Sequence, residues 1–107
     1  MTATLLVEYF PELATELETL LRAEEEPALA DQVSSLRIID RCRCGDDFCA
    51  TFYTVPKPTG PWGVNHRNVA LTPKSGDLIL DVVDNKITCV EVLFRNDIRD
   101  KLLSLLP

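Results

Sequence analysis

Two apolar runs, residues 78–83 and 86–94, meet across Asp84-Asn85, and this pairing constrains the fold more than any other stretch of the chain. Asp and Asn tolerate the positive φ that both central residues of a two-residue β-turn require. The sequence therefore predicts an antiparallel hairpin with Val83 opposite Lys86 and Leu80 opposite Cys89. In that register Leu78, Leu80, Val82, Ile87, Cys89 and Leu93 share one face, with Glu91 opposite Leu78. A carboxylate in that row must be wet at the edge or paired. The other face carries Ile79, Val83, Val90, Val92 and Phe94 beside Asp81, Lys86 and Thr88. With both faces partly apolar, either helices cover both or one face meets a second copy of the chain. An isologous homodimer is the expected solution.

The remaining elements follow from periodicity and turn chemistry. Phe10, Leu13, Leu17, Leu20 and Leu21 recur at helical spacing behind Pro11, which suits a first-turn position, so residues 11–23 should be a helix. Pro27 should open a second, shorter helix with Leu29 and Val33 on one face. Residues 36–44 and 49–55 read as strands joined by Gly45-Asp46-Asp47-Phe48, and residues 67–71 as a short strand before a turn at 73–76. Asn96 is placed to cap a last helix whose Ile98, Leu102 and Leu105 or Leu106 face inward. The chain of 107 residues is long enough for one core. The expected architecture is α+β: a single domain over 1–107, with an antiparallel sheet of four to five strands packed with two N-terminal helices and one C-terminal helix.

Charge narrows the function classes. Residues 1–31 hold eight acidic side chains against Arg22 alone, and the remainder is nearly balanced, for a net of −6. That counts against a phosphate-backbone ligand, and Arg41, Phe48, Phe52, Tyr53 and Lys57 are only a thin version of a single-strand-binding groove. The acidic segment is a solvated helical face, or else a docking surface for a basic partner. No apolar run approaches the roughly 20 residues of a membrane span, and the N-terminus lacks the basic region of an export signal. A cytoplasmic protein without membrane or nucleic-acid partners is expected. No glycine-rich phosphate loop occurs.

Cys42, Cys44 and Cys49 form a C-x-C-x4-C pattern. Alternation along a strand puts Cys42 and Cys44 on one face, and a hairpin with Cys44 opposite Cys49 and Cys42 opposite Thr51 gathers all three sulfurs. Arg41 and Arg43 then point away. Clustered thiolates are soft ligands suited to tetrahedral zinc, with His66 as the fourth ligand and Asp46 or Asp47 as weaker alternatives. The pattern departs from the usual C-x2-C knuckle, so a Cys44–Cys49 disulfide or redox pair, and buried thiols with no ligand, stay open as alternatives. Cys89 lies on a distant strand and reads as a small core hydrophobe. A thiol nucleophile built from Cys49 or Cys42 with His66 and an aspartate is conceivable, but nothing in the spacing requires it.

The loop Gly60-Pro61-Trp62-Gly63-Val64-Asn65-His66-Arg67 fits no regular element. Trp62 either plugs an open end of the core or serves as an aromatic interface anchor, with Asn65 and Arg67 as its polar rim. Cys42-Arg43-Cys44-Gly45, the run from Cys49 to Thr54 and the run from Leu78 to Ile87, followed by Val92-Leu93, resemble those of small bacterial domains of unknown function, over about residues 36–103. That resemblance implies one bacterial domain and no particular activity. The sequence thus points first to a non-enzymatic accessory or interaction protein, then to a small zinc protein, then to a thiol enzyme or redox protein.

Overall fold

The computed structural model describes residues 3–107. Strand β1 (Thr4–Leu5) leads into a single helical turn, α1 (Leu6–Tyr9), and then α2 (Pro11–Ala23). Pro11 opens α2, and Leu13, Ala14, Leu17 and Leu21 form its buried stripe. The helix ends where Glu25 adopts φ 59°, letting its N–H and that of Glu26 reach the Arg22 and Leu21 carbonyls at 3.1 and 2.9 Å. This is a Schellman closure with glutamate where glycine is usual.

The second helix is shorter than periodicity suggests. α3 spans Pro27–Ala30, and Val33–Ser35 forms a separate 3-10 turn, yet Leu29 and Val33 are both buried as expected. The segment 36–44 is likewise divided. β2 (Arg37–Ile38) pairs with β1 in a two-stranded sheet, whereas β3 (Asp40–Arg41) pairs with β4 (Phe52–Tyr53). The change of partner falls at Ile39, whose N–H donates to the Tyr53 carbonyl at 2.8 Å.

β5 (His66–Ala70), β6 (Asp77–Val83) and β7 (Lys86–Leu93) complete a five-stranded antiparallel sheet of order β3-β4-β7-β6-β5. Gly76, before β6, takes φ 68°, and a Cβ there would collide with the Leu93 carbonyl, so this turn needs glycine for space as well as for conformation. Asp84 and Asn85 take φ 50° and 64°, the paired positive values of the predicted two-residue turn. Gln32 braces it, donating to the Asn85 carbonyl at 2.8 Å and accepting the Ile87 N–H at 3.0 Å.

The hairpin register corrects the sequence reading. Val83 pairs with Lys86 and Val82 with Ile87 as expected, but then Asp81 pairs with Cys89, Leu80 with Val90 and Ile79 with Glu91. A β-bulge at Thr88 supplies the extra residue. Its buried hydroxyl donates to the Asp81 carbonyl at 3.0 Å, and its own carbonyl accepts the Thr54 N–H at 3.0 Å. A one-residue slip exchanges the faces of everything beyond it. Val90 and Val92 therefore enter the core, and Cys89, Glu91 and Leu93 move to the other face. The physical reason is the carboxylate: the regular register would set Glu91 among buried leucines and leave two valines out, each worth roughly 1.5–3 kcal/mol when buried.

One core joins the helices to a single face of the large sheet. Leu17, Leu21, Leu29, Ile98 and Leu102 pack with Phe52, Leu78, Leu80, Val82, Val90 and Val92. α4 (Asn96–Leu105) supplies Ile98 and Leu102, with Leu105 and Leu106 packed at the margin. Arg95, not Asn96, is its N-cap residue. The Arg95 guanidinium is held by both Glu16 oxygens at 2.9 and 3.1 Å, which positions the chain entering the helix and leaves Asn96 as the first helical residue. Among the described residues no helix is long and apolar enough to cross a membrane.

Candidate functional site: the open face of the sheet

The sheet face turned away from the helices gathers the chemistry. Cys42, Cys44 and Cys49 sit at one end, their sulfurs all within 4.8 Å of one another. The expected register holds. Asp40 pairs with Tyr53 and Arg41 with Phe52, and the Cys42 N–H continues the ladder to the Thr51 carbonyl at 2.8 Å. The loop between them closes with the Cys49 N–H donating to Asp46. Arg41 and Arg43 turn the other way, to the carbonyls of Leu106 and Pro107. Cys44 is exposed, and Cys42 and Cys49 are half-buried.

The three thiols differ in their readiness to ionise. Burial pushes Cys42 up to about 11, reinforced by the neighbouring Cys44 and Cys49, although the Cys44 N–H favours its thiolate. Burial acts the same way on Cys49. There the Thr51 hydroxyl and N–H, with the Cys44 and Cys42 thiols as further donors, outweigh it and hold Cys49 below its ordinary value. The Thr51 oxygen is itself fixed by the Val92 N–H at 3.2 Å. One thiolate is thus welcome, and each further one is resisted by its neighbours until a cation offsets the charge. A tetrahedral zinc–thiolate centre needs sulfurs about 3.8 Å apart, so small side-chain rotations would close this cluster around an ion. The three cysteines are close enough to bind a metal ion.

His66 is not with them. It is the first residue of β5, and its Nε2 lies 2.8 Å from Asp81 Oδ1, an oxygen that also accepts Asn68 Nδ2 at 2.8 Å. Cys89, conversely, is not distant. It pairs with Tyr53 across β4 and β7 and lies buried on the open face, where burial raises its pKa strongly. An open recess of about 320 Å³ runs from Cys42, Cys49 and Thr51 past Tyr53 and Trp62 to Asp81, Cys89, Glu91 and Leu93.

Trp62 plugs no core. It is half-buried on the open face, its ring centroid 6.3 Å from Tyr53 and 6.5 Å from His66. Its expected companions lie elsewhere. Asn65, at φ 62°, donates to Asp84 at 2.7 Å beside the hairpin turn. Arg67 pairs with core-facing Val82 and forks onto Glu26 at 2.8 and 3.0 Å, on the helical side of the sheet. The three residues therefore do not make one surface.

Glu91 and Asp81 were not among the expected site residues. Burial, then a hydrogen bond to Asp81 and its charge, raise the Glu91 carboxyl to about 7, with His66 opposing. Tyr53 is raised to about 12, chiefly by burial. The awkward place of Glu91 opposite Leu78 was the signal in the sequence that the regular register failed. The expected dimer face also changes, since the Val90 and Val92 that made it apolar are in the core. No protein-family model, curated protein or solved structure matches this chain.

Proposed function

We propose that the protein is a small non-enzymatic accessory protein of the cytoplasm organised around one thiolate metal site, with Cys42, Cys44 and Cys49 holding zinc. The observation that carries this is the convergence of three sulfurs within 4.8 Å on a hydrogen-bonded hairpin. Donors already aimed at two of them support it, because groups that stabilise a thiolate also orient a metal ligand. His66 is committed to Asp81, so water or a partner's side chain takes the fourth position.

Elemental analysis with thiol counting tests this, on protein purified reduced, without chelator or a metal-binding tag. About one zinc per chain is expected, with Cys42, Cys44 and Cys49 protected from alkylation until a chelator removes the ion. Cys49→Ser should lose at least 100-fold in zinc affinity. A metal-free protein that takes up no zinc when titrated would overturn the proposal. The depressed pKa of Cys49 beside two further thiols favours a second reading, a dithiol redox pair. Oxidised glutathione would then convert two of the thiols to a disulfide and release two reduced glutathiones, and a metal-free protein giving that stoichiometry would favour it.

A further inference from the structure

We propose that the cluster of Cys42, Cys44 and Cys49 captures trivalent arsenic, taken up as neutral arsenous acid and held by all three sulfurs. The inference rests on the same gathering of sulfurs as the zinc reading, but not on zinc being bound.

The number, direction and charge of the donors select this ligand. Among the described residues no imidazole nitrogen or carboxylate oxygen joins the three sulfurs in their group, all within 4.8 Å of one another. His66 is engaged by Asp81. Zinc therefore has to recruit a fourth ligand from outside the cluster, whereas trivalent arsenic is complete with three, its lone pair filling the remaining direction. All three cysteines also come from one hairpin and approach from one side. A three-sulfur pyramid needs donors on one side only, while a tetrahedron surrounds its ion. Charge points the same way. Three thiolates leave a zinc site with one net negative charge and a Cu(I) site with two, and such charge is costly where Cys42 and Cys49 are half-buried. The arsenic trithiolate is neutral.

The surroundings fit a single ion better than an organic molecule. The hollow bounded by Cys42, Cys44 and Cys49, with Asp46, Arg99 and Leu102 in its wall, holds about 30 Å³, the room of one water molecule. Cys44 is exposed, so the first arsenic–sulfur bond forms at the surface and the other two follow within the cluster. Each step replaces one As–OH bond by one As–S bond, the thiol proton leaving with the hydroxide as water. Arsenous acid and three thiols thus give the trithiolate and three waters. Arsenic stays trivalent throughout, so no oxidant or reductant takes part.

The test titrates reduced, metal-free protein with sodium arsenite, identifies the adduct by intact mass and counts free thiols by alkylation. One arsenic per chain should bind with loss of three hydrogens, and Cys42, Cys44 and Cys49 should all become protected. Cys44→Ser should bind arsenite about 100-fold or more weakly, because the third bond is an intramolecular one. It should still take up phenylarsine oxide, which needs only two thiols, and circular dichroism should show it folded. Cys89→Ser should leave arsenite binding unchanged. An adduct that leaves one of the three thiols free, or Cys44→Ser binding arsenite as tightly as the wild type, would overturn the proposal. Should Cys44→Ser fail to fold, the thiol count of the wild-type adduct decides. Zinc titration reads the other proposal separately. Protein that binds arsenic through three thiols but takes up no zinc keeps this inference and loses that one, and zinc uptake without a three-thiol arsenic adduct does the reverse.

Discussion

The two faces of the five-stranded sheet are built from the same strands by opposite rules. The helical face is apolar at its centre: Phe52, Leu78, Leu80, Val82, Val90 and Val92 are all fully buried. The open face interleaves Cys42, Cys49, Tyr53, Asp81, Cys89 and Glu91 around a recess, with Thr51, Asp81 and Cys89 buried although no helix covers them. Stability is concentrated on one side and chemistry on the other. Along β7 the division depends on a single inserted residue, because the bulge at Thr88 decides which side chains go to which face.

Putting a carboxylate on the wrong face is the strongest way to break the comparison. Val90→Glu places a charge where Val90 is fully buried among the core side chains. The expected loss is about 5 kcal/mol or more, enough to abolish cooperative folding in a chain of this size. A variant that still unfolds cooperatively in urea would show that the two faces do not differ in this way. A milder probe compares neighbours on β6. Leu80→Ala should cost about 2–5 kcal/mol by leaving a cavity in the core, whereas Ile79→Ala, on the open face, should cost about 1 kcal/mol or less. Equal losses in chemical denaturation would mean that the open face contributes a second core.

Acid–base behaviour sharpens the contrast further. Glu91 has a folded-state pKa of about 7, against an ordinary 4.5. The folded protein therefore holds a proton that the unfolded chain releases between those values. Its contribution is fully present below about pH 4.5 and is lost as pH rises through 7. The proton belongs to the Asp81–Glu91 pair rather than to one residue. Since Glu91 is only half-buried, solvent screening reduces the loss to about 1 kcal/mol. Glu91→Gln should raise the melting temperature at pH 8 and leave it nearly unchanged at pH 4.5. The smallest effect is expected at the edge of the helical layer, where Glu25 sits at φ 59°. Glu25→Gly should gain about 0.5–1 kcal/mol, measured by thermal unfolding.

Much of this arrangement is legible in order along the chain. The stripe of α2, the turn at Asp84-Asn85 and the gathering of Cys42, Cys44 and Cys49 all depend on residues close in sequence, where period and turn chemistry operate. The bulge was only half legible. Ile87 and Val90 cannot share a face in a regular strand, and Glu91 falls opposite Leu78 when the count runs straight from the turn. Those conflicts mark a slip without saying where it is absorbed. The pairing of His66 with Asp81 was not legible at all, because it depends on which strand lies beside β6. Nor was the separation of Trp62 from Arg67, which follows from Arg67 sitting one residue beyond His66 and so on the opposite face.

The amino-acid order alone determined an α+β chain with an acidic N-terminal helix, a tight hairpin and a trio of thiols on one strand face, since each of these is a local geometric consequence of side-chain spacing. The tertiary structure decided which face of the hairpin meets the helices, that Cys89 and Glu91 join the thiols, Tyr53 and Trp62 on the open side, and that His66 serves Asp81. Those outcomes rest on the cost of burying a carboxylate against the gain from burying two valines, a balance that exists only once strands and helices are packed together.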